Sequence, residues 1–97
     1  MSIMFEDKEG RPTCCIYRTD GRTEIVQNPL YPDDNGWLEW VQRQVGGYVE
    51  RYPIRLPNIT SMWVNEEGRL LGLQPNQAVL TQFNHFVVGD AVIYIRT

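Results

Sequence analysis

Cysteine is scarce in this chain of 97 residues: the two present, Cys14 and Cys15, are neighbours. On a strand, adjacent side chains point to opposite faces, so a bridge between them is strained and no disulfide framework exists. One cysteine is expected in the core and the other facing outward, both as free thiols of a reducing cytoplasm. The single histidine, His85, has no His or Cys partner at ligand spacing, which leaves a zinc site without its ligand set. Residues 1–5 run straight into Glu6, Asp7 and Lys8 with no basic and then apolar stretch, so export is not expected. No apolar run approaches the roughly twenty residues that cross a bilayer. A basic excess is missing as well: nine Lys and Arg stand against twelve Asp and Glu, a net charge of −3. Generic binding to nucleic acid, which rests on positive charge, is therefore not expected. Phosphate-loop glycine patterns are absent too, so nucleotide hydrolysis has no support.

What the chain does contain is a globular composition. Hydrophobic residues make up 42%, charged residues 22% and aromatics 11%, enough for one compact domain over residues 1–97 and too few residues for two cores. Residues 14–18 and 23–27 are β-prone runs separated by Thr19-Asp20-Gly21-Arg22, a hairpin signal because Asp-Gly accepts positive φ. The proline- and acid-rich stretch over residues 28–36 reads as a loop that ends in a helix cap at Asp34 or Asn35. Trp37, Trp40, Val41 and Val45 recur at helical spacing, which predicts a helix with one buried stripe, closed by Gly46-Gly47. Residues 48–52 and 60–65 read as strands, the first halted by Pro53 and Pro57. Glu66 to Arg69 is expected to turn the chain back through Leu70 and Leu71 as a second hairpin. A short helix from Gln77, with Ala78, Val79 and Phe83 on one face, then leads to the most β-prone segment, residues 91–96. The order β-β-α-β-β-α-β is that of an α+β fold: a small mixed or antiparallel sheet with two short helices on one face. The apolar last strand is expected at an exposed edge, where it would pair in a homodimer.

Four constellations carry possible chemistry. Trp37, Trp40, Tyr48, Tyr52 and Trp63, interleaved with Arg43 and Arg51, are the residue types that stack a base and hold a phosphate. Trp37 and Trp63 fit a core role better, whereas Trp40, Tyr48 and Tyr52 remain open to ligand. Asn65-Glu66-Glu67-Gly68 pairs two carboxylates with an amide, but neighbours on a turn diverge, and a solvated turn is the simpler reading. His85 with Asp90 and Thr81 suggests a triad, yet no nucleophile elbow precedes them and neither cysteine has the surroundings of an activated thiolate. The glycines at 46, 47 and 72 read as caps and turns.

Four segments carry a resemblance in order and spacing: Val45-Gly46-Gly47-Tyr48-Val49-Glu50, Val64-Asn65-Glu66-Glu67-Gly68-Arg69-Leu70, Gly72-Leu73-Gln74-Pro75-Asn76 and Val88-Gly89-Asp90-Ala91-Val92. Over residues 37–96 the chain resembles a small domain-of-unknown-function family met in bacteriophage, plasmid and bacterial genomes. The resemblance implies a mobile-element setting and brings no catalytic residues with it. The expectation is a non-enzymatic binding protein, a phage- or mobile-element-encoded accessory or anti-defence factor with no cofactor and no metal. It would bind a host protein or sequester a nucleotide-like anion through Trp40, Arg43, Tyr48, Arg51, Asn65, Glu66, Arg69 and Asn76. A small hydrolase using Glu66, Asp90 and His85 is the alternative. A nucleic-acid mimic presenting Asp33, Asp34, Glu39, Glu66 and Glu67 is the third reading, for which −3 is a small charge.

Overall fold

The computed structural model describes residues 10–96, so the reading of residues 1–8 lies outside the described part. Seven elements follow in the expected order: β1 (Thr13–Tyr17), β2 (Thr23–Ile25), α1 (Trp37–Val45), β3 (Val49–Tyr52), β4 (Ile59–Asn65), α2 (Gln77–Phe83) and β5 (Ala91–Ile95). The strands form one antiparallel sheet in the order β2-β1-β5-β4-β3, which makes the protein an α+β fold. Among the described residues no helix is long and apolar enough to cross a membrane.

The β1–β2 hairpin closes as its turn residues require. Gly21 takes φ 95° and donates its N–H to the Arg18 carbonyl at 3.1 Å, and the Asp20 carboxylate accepts the Arg22 N–H at 3.0 Å. Helix α1 ends at Gly46, whose left-handed conformation lets its N–H reach the Gln42 carbonyl at 2.8 Å. At its other end the expected Asp34 or Asn35 cap is replaced by Gly36, which offers no side chain. Asp34 turns back instead and accepts the Tyr31 N–H at 2.8 Å. The second hairpin expected through Leu70 and Leu71 does not form either. Residues 66–72 are consecutive turns, and β4 takes β3 and β5 as its neighbours.

Two expectations are overturned together. The last strand, β5, is the middle of the sheet rather than an edge, and the helices lie on opposite faces rather than on one. Cys14, Ile16, Val92 and Tyr94 pack against Trp37, Val41 and Val45 of α1. Cys15, Tyr17, Met62 and Ile93 pack on the other side, against Val79 of α2. Because strand side chains alternate, burying both faces takes uninterrupted apolar strands, and β1 and β5 are such strands. One cysteine was expected to face outward, but Cys14 and Cys15 are both buried. The exposed edges are β2 and β3.

Strand β4 reconciles a mixed sequence with this arrangement through a bulge. Ile59 pairs with Ile95 and Ser61 with Tyr94, so Thr60 is an extra residue. The insertion puts Ile59 and Met62, three positions apart, in the same α2-side core.

Polar pins tie the layers. The indole N–H of Trp37 donates to the Tyr94 hydroxyl at 3.0 Å, and that hydroxyl donates to the Leu30 carbonyl at 2.6 Å, fastening the 28–36 loop and α1 to the central strand. Asn76 is 1% exposed. Its amide donates to the carbonyls of Tyr17 and Gly89 at 2.8 and 2.9 Å and accepts the Val79 N–H at 3.1 Å as the cap of α2. Arg18 gathers the same end of the sheet, where β1 leaves and β5 begins. Its guanidinium grips the Glu24 carboxylate at 3.1 Å through two nitrogens and reaches Asp90 at 3.0 Å and the Gln44 side chain at 3.1 Å.

Two predictions follow from these pins. Asn76→Asp keeps the capping acceptor but faces two carbonyls with a group that cannot donate, whereas Asn76→Ala loses cap and donors alike. Each should cost about 3 kcal/mol in chemical denaturation; a loss confined to Asn76→Ala would show that the cap alone matters. The hydrogen bonds from Arg18 hold the Glu24 carboxyl below its ordinary range. The stability this supplies is complete above the unfolded carboxyl value and is lost as pH falls through the lower folded one. The melting temperature should therefore drop below about pH 4, and Glu24→Gln should flatten that acid limb. An unchanged acid limb in Glu24→Gln would remove Glu24 from the account.

Candidate functional site

The clearest concavity lies on the α2 side of the β3–β4 edge, with a volume of about 310 Å³. Alternation along β3 sends Glu50 and Tyr52 to this side, paired with Val64 and Met62 of β4. Beyond β4 the turns over residues 66–72 fold across as one wall, and residues 86–88 form the other. The walls are held by backbone bonds, Asn76 N–H to Val87 carbonyl at 2.9 Å and Gly89 N–H to Gln74 carbonyl at 2.7 Å. Gly68 is required at their junction, since a Cβ there would stand 2.8 Å from the Val88 side chain.

Asn65 starts this wall from inside. Its amide donates to the Val45 carbonyl at 3.0 Å, at the end of α1, and its oxygen accepts the Glu67 N–H at 2.7 Å. With this anchor fixed, the next side chains project outward. Glu66, Glu67 and Arg69 are exposed, Leu70 is 86% exposed and Phe86 is 51% exposed. Together with Glu50 the groove carries three carboxylates, one guanidinium and two bare apolar side chains.

The eight residues singled out from the sequence do not converge. Glu66 and Arg69 line the groove. Asn65 and Asn76 belong to the same region but are buried, with their amides engaged by backbone. Trp40 is half-buried against the α1-side core, Arg43 is exposed on α1, and Tyr48 is 65% exposed in the link between α1 and β3. Arg51 points to the α1 side, opposite Trp63 in the register, and donates to the Thr60 carbonyl at 3.2 Å. Arg43, Arg51 and Arg69 thus serve three separate places. Trp37 and Trp63 meet edge to face at 4.8 Å within the α1-side core, the role expected of them.

Glu66, His85 and Asp90 sit in different networks. His85 Nδ1 lies 3.1 Å from the Tyr52 hydroxyl, with the rings edge to face. Asp90 is occupied by Arg18 and by the Thr19 N–H at 2.9 Å, while Glu66 stays at the groove. Burial pushes the Cys14 thiol up to about 12 and raises Cys15 as well, the reverse of thiolate activation. Among the described residues no three His, Cys, Asp or Glu side chains group closely enough to hold a metal ion.

Sequence reasoning missed Arg18, Leu70 and Phe86. Hairpin register alone sets Arg18 diagonal to Glu24, since Tyr17 pairs with Thr23. Leu70 and Leu71 stand between two turn glycines, Gly68 and Gly72, where exposed apolar residues are unusual enough to notice.

The same fold accounts for the reach of the family match. A family model described as "Domain of unknown function (DUF3846)" matches residues 15–96, from within β1 to the end of β5. The match takes in the first hairpin, which the motif resemblance left out, and so spans the whole sheet. No curated protein and no solved structure matched the chain. With nearly the full length covered, the chain belongs to the DUF3846 family, a domain of unknown function.

Proposed function

We propose that this domain is a non-enzymatic binding protein whose groove at the β3–β4 edge docks a protein partner that brings basic and apolar side chains. The observation that carries this reading is the pair Leu70 and Phe86, left bare to water and flanked by Glu50, Glu66 and Glu67, with Arg69 as the one cation of the lining among the described residues. An apolar centre within a charged rim is the anatomy of a docking patch, and the sign of the rim selects a partner that brings positive charge. The groove does not suit the nucleotide-like anion also expected from the sequence, because its carboxylates would repel it.

A second copy of the chain suits the groove poorly as well, since two acidic rims would meet. Extending the sheet through β3 fares no better. Antiparallel self-pairing centred on the strand sets either Glu50 against Glu50 or Arg51 against Arg51, and like charges directly opposite are destabilising. The homodimer is therefore not the reading favoured here. The mobile-element setting implied by the motif resemblance makes a host protein the fitting partner, met in the cytoplasm, with an accessory or anti-defence role.

The test is cross-linked capture from an extract of the encoding cell, comparing the natural chain with Leu70→Asp, Phe86→Asp and Glu66→Lys/Glu67→Lys variants. All these positions are exposed, so melting temperatures should stay within about 2 °C of the natural chain. The expected result is one protein retained by the natural chain and lost in all three variants. Equal capture by all four chains, or no specific capture, would contradict the reading.

A further inference from the structure

On the opposite side of the same edge, with Tyr52 shared with the groove, lies a second depression of about 280 Å³ whose polar lining includes Arg51, Arg55, Thr60 and Ser61. Its charge is reversed: among the described residues, two guanidiniums and no carboxylate line it. The bulge builds this place. Thr60 is the extra residue of β4 and lies exposed beside the β3–β4 connection, while Ser61 lines the depression and is only 6% exposed. The Ser61 oxygen accepts the Trp63 indole N–H at 2.9 Å, which leaves its own O–H to donate. Arg51 is steadied by one bond to the Thr60 carbonyl at 3.2 Å, which leaves most of its donors unspent. Arg55 is exposed and makes no hydrogen bond or ion pair with the described residues.

We infer that this depression is an oxyanion site for a phosphoryl group, held between the guanidiniums of Arg51 and Arg55 and the hydroxyls of Thr60 and Ser61. Guanidinium forks match the paired oxygens of phosphate, and hydroxyl donors complete its shell. A cavity below the usual range for drug-sized ligands holds a phosphate or diphosphate and leaves the rest of any larger molecule outside. The ligand class is a phosphate monoester or diphosphate on a small molecule. The inference is independent of the groove and survives if no protein partner is found.

Titration calorimetry and ¹H–¹⁵N chemical-shift mapping with inorganic pyrophosphate and, separately, with ADP decide it. Submillimolar binding of pyrophosphate is expected, with the largest shifts at residues 51, 55, 60 and 61. Arg55→Ala should weaken it at least tenfold, and Arg51→Ala/Arg55→Ala should abolish it without lowering the melting temperature materially. Arg22→Ala, at the far hairpin, should leave it unchanged. Equal affinity for pyrophosphate and ADP identifies the phosphate alone as the recognised group, while tighter binding of ADP identifies a nucleotide source. Absence of heat and shifts with both probes at millimolar concentration, or binding weakened equally by Arg22→Ala, would overturn the site.

Discussion

Burial of the sheet on both faces is the constraint from which the rest of the molecule follows. Strands β1 and β5 are apolar at consecutive positions, from Cys14 to Tyr17 and from Ala91 to Ile95, so neither face of the sheet centre can be left to water. Helix α1 covers one side with Trp37, Val41 and Val45, and α2 covers the other with Val79. A domain this small gains little from each core alone, which makes the sharing of two central strands by both cores economical. The cost is polar: loops and helix ends brought against a doubly covered sheet need internal partners for their backbone groups. Asn76, Asn65, Tyr94 and Arg18 supply them, each linking one helix or its connection to the sheet or its hairpin.

Where the cover ends, the chemistry begins. At the β3–β4 edge the two sides of the sheet diverge in charge. The α2 side carries Glu50, Glu66 and Glu67 around bare Leu70 and Phe86, while the α1 side carries Arg51 and Arg55 beside the bulge hydroxyls. Strand alternation produces part of this division, since Glu50 and Arg51 are consecutive and must face opposite ways. A four-residue edge strand can thus present an acidic and a basic surface at once, and a net charge of −3 conceals both.

The elements and their order were readable in the sequence because each rests on local signals: Asp-Gly for the hairpin, a three-and-four spacing of Trp37, Trp40, Val41 and Val45 for the helix, Gly46 for its end. Placement of those elements was not. The uninterrupted apolar runs at residues 14–17 and 91–95 were the available sign that both faces are covered, since a half-covered sheet shows alternation. Taking them as merely β-prone put both helices on one face and the last strand at an edge. The site suffered similarly. Glu66 and Arg69 emerged as groove residues, but Asn65 and Asn76 were drawn to the interior by unpaired backbone carbonyls that no sequence pattern displays. Leu70, Phe86, Arg55 and the Thr60 bulge depend on long-range register and could not be seen from local spacing.

The adjacent cysteines report on each face separately, which makes thiol accessibility the most direct test of the double cover. Cys14 lies beneath α1 and Cys15 beneath α2, both as free buried thiols. Under native conditions a thiol-specific chromogenic reagent should label neither, and both should react together only as the protein unfolds in denaturant. Rapid labelling of one cysteine in the native protein would show a face open to solvent and contradict the two-sided arrangement.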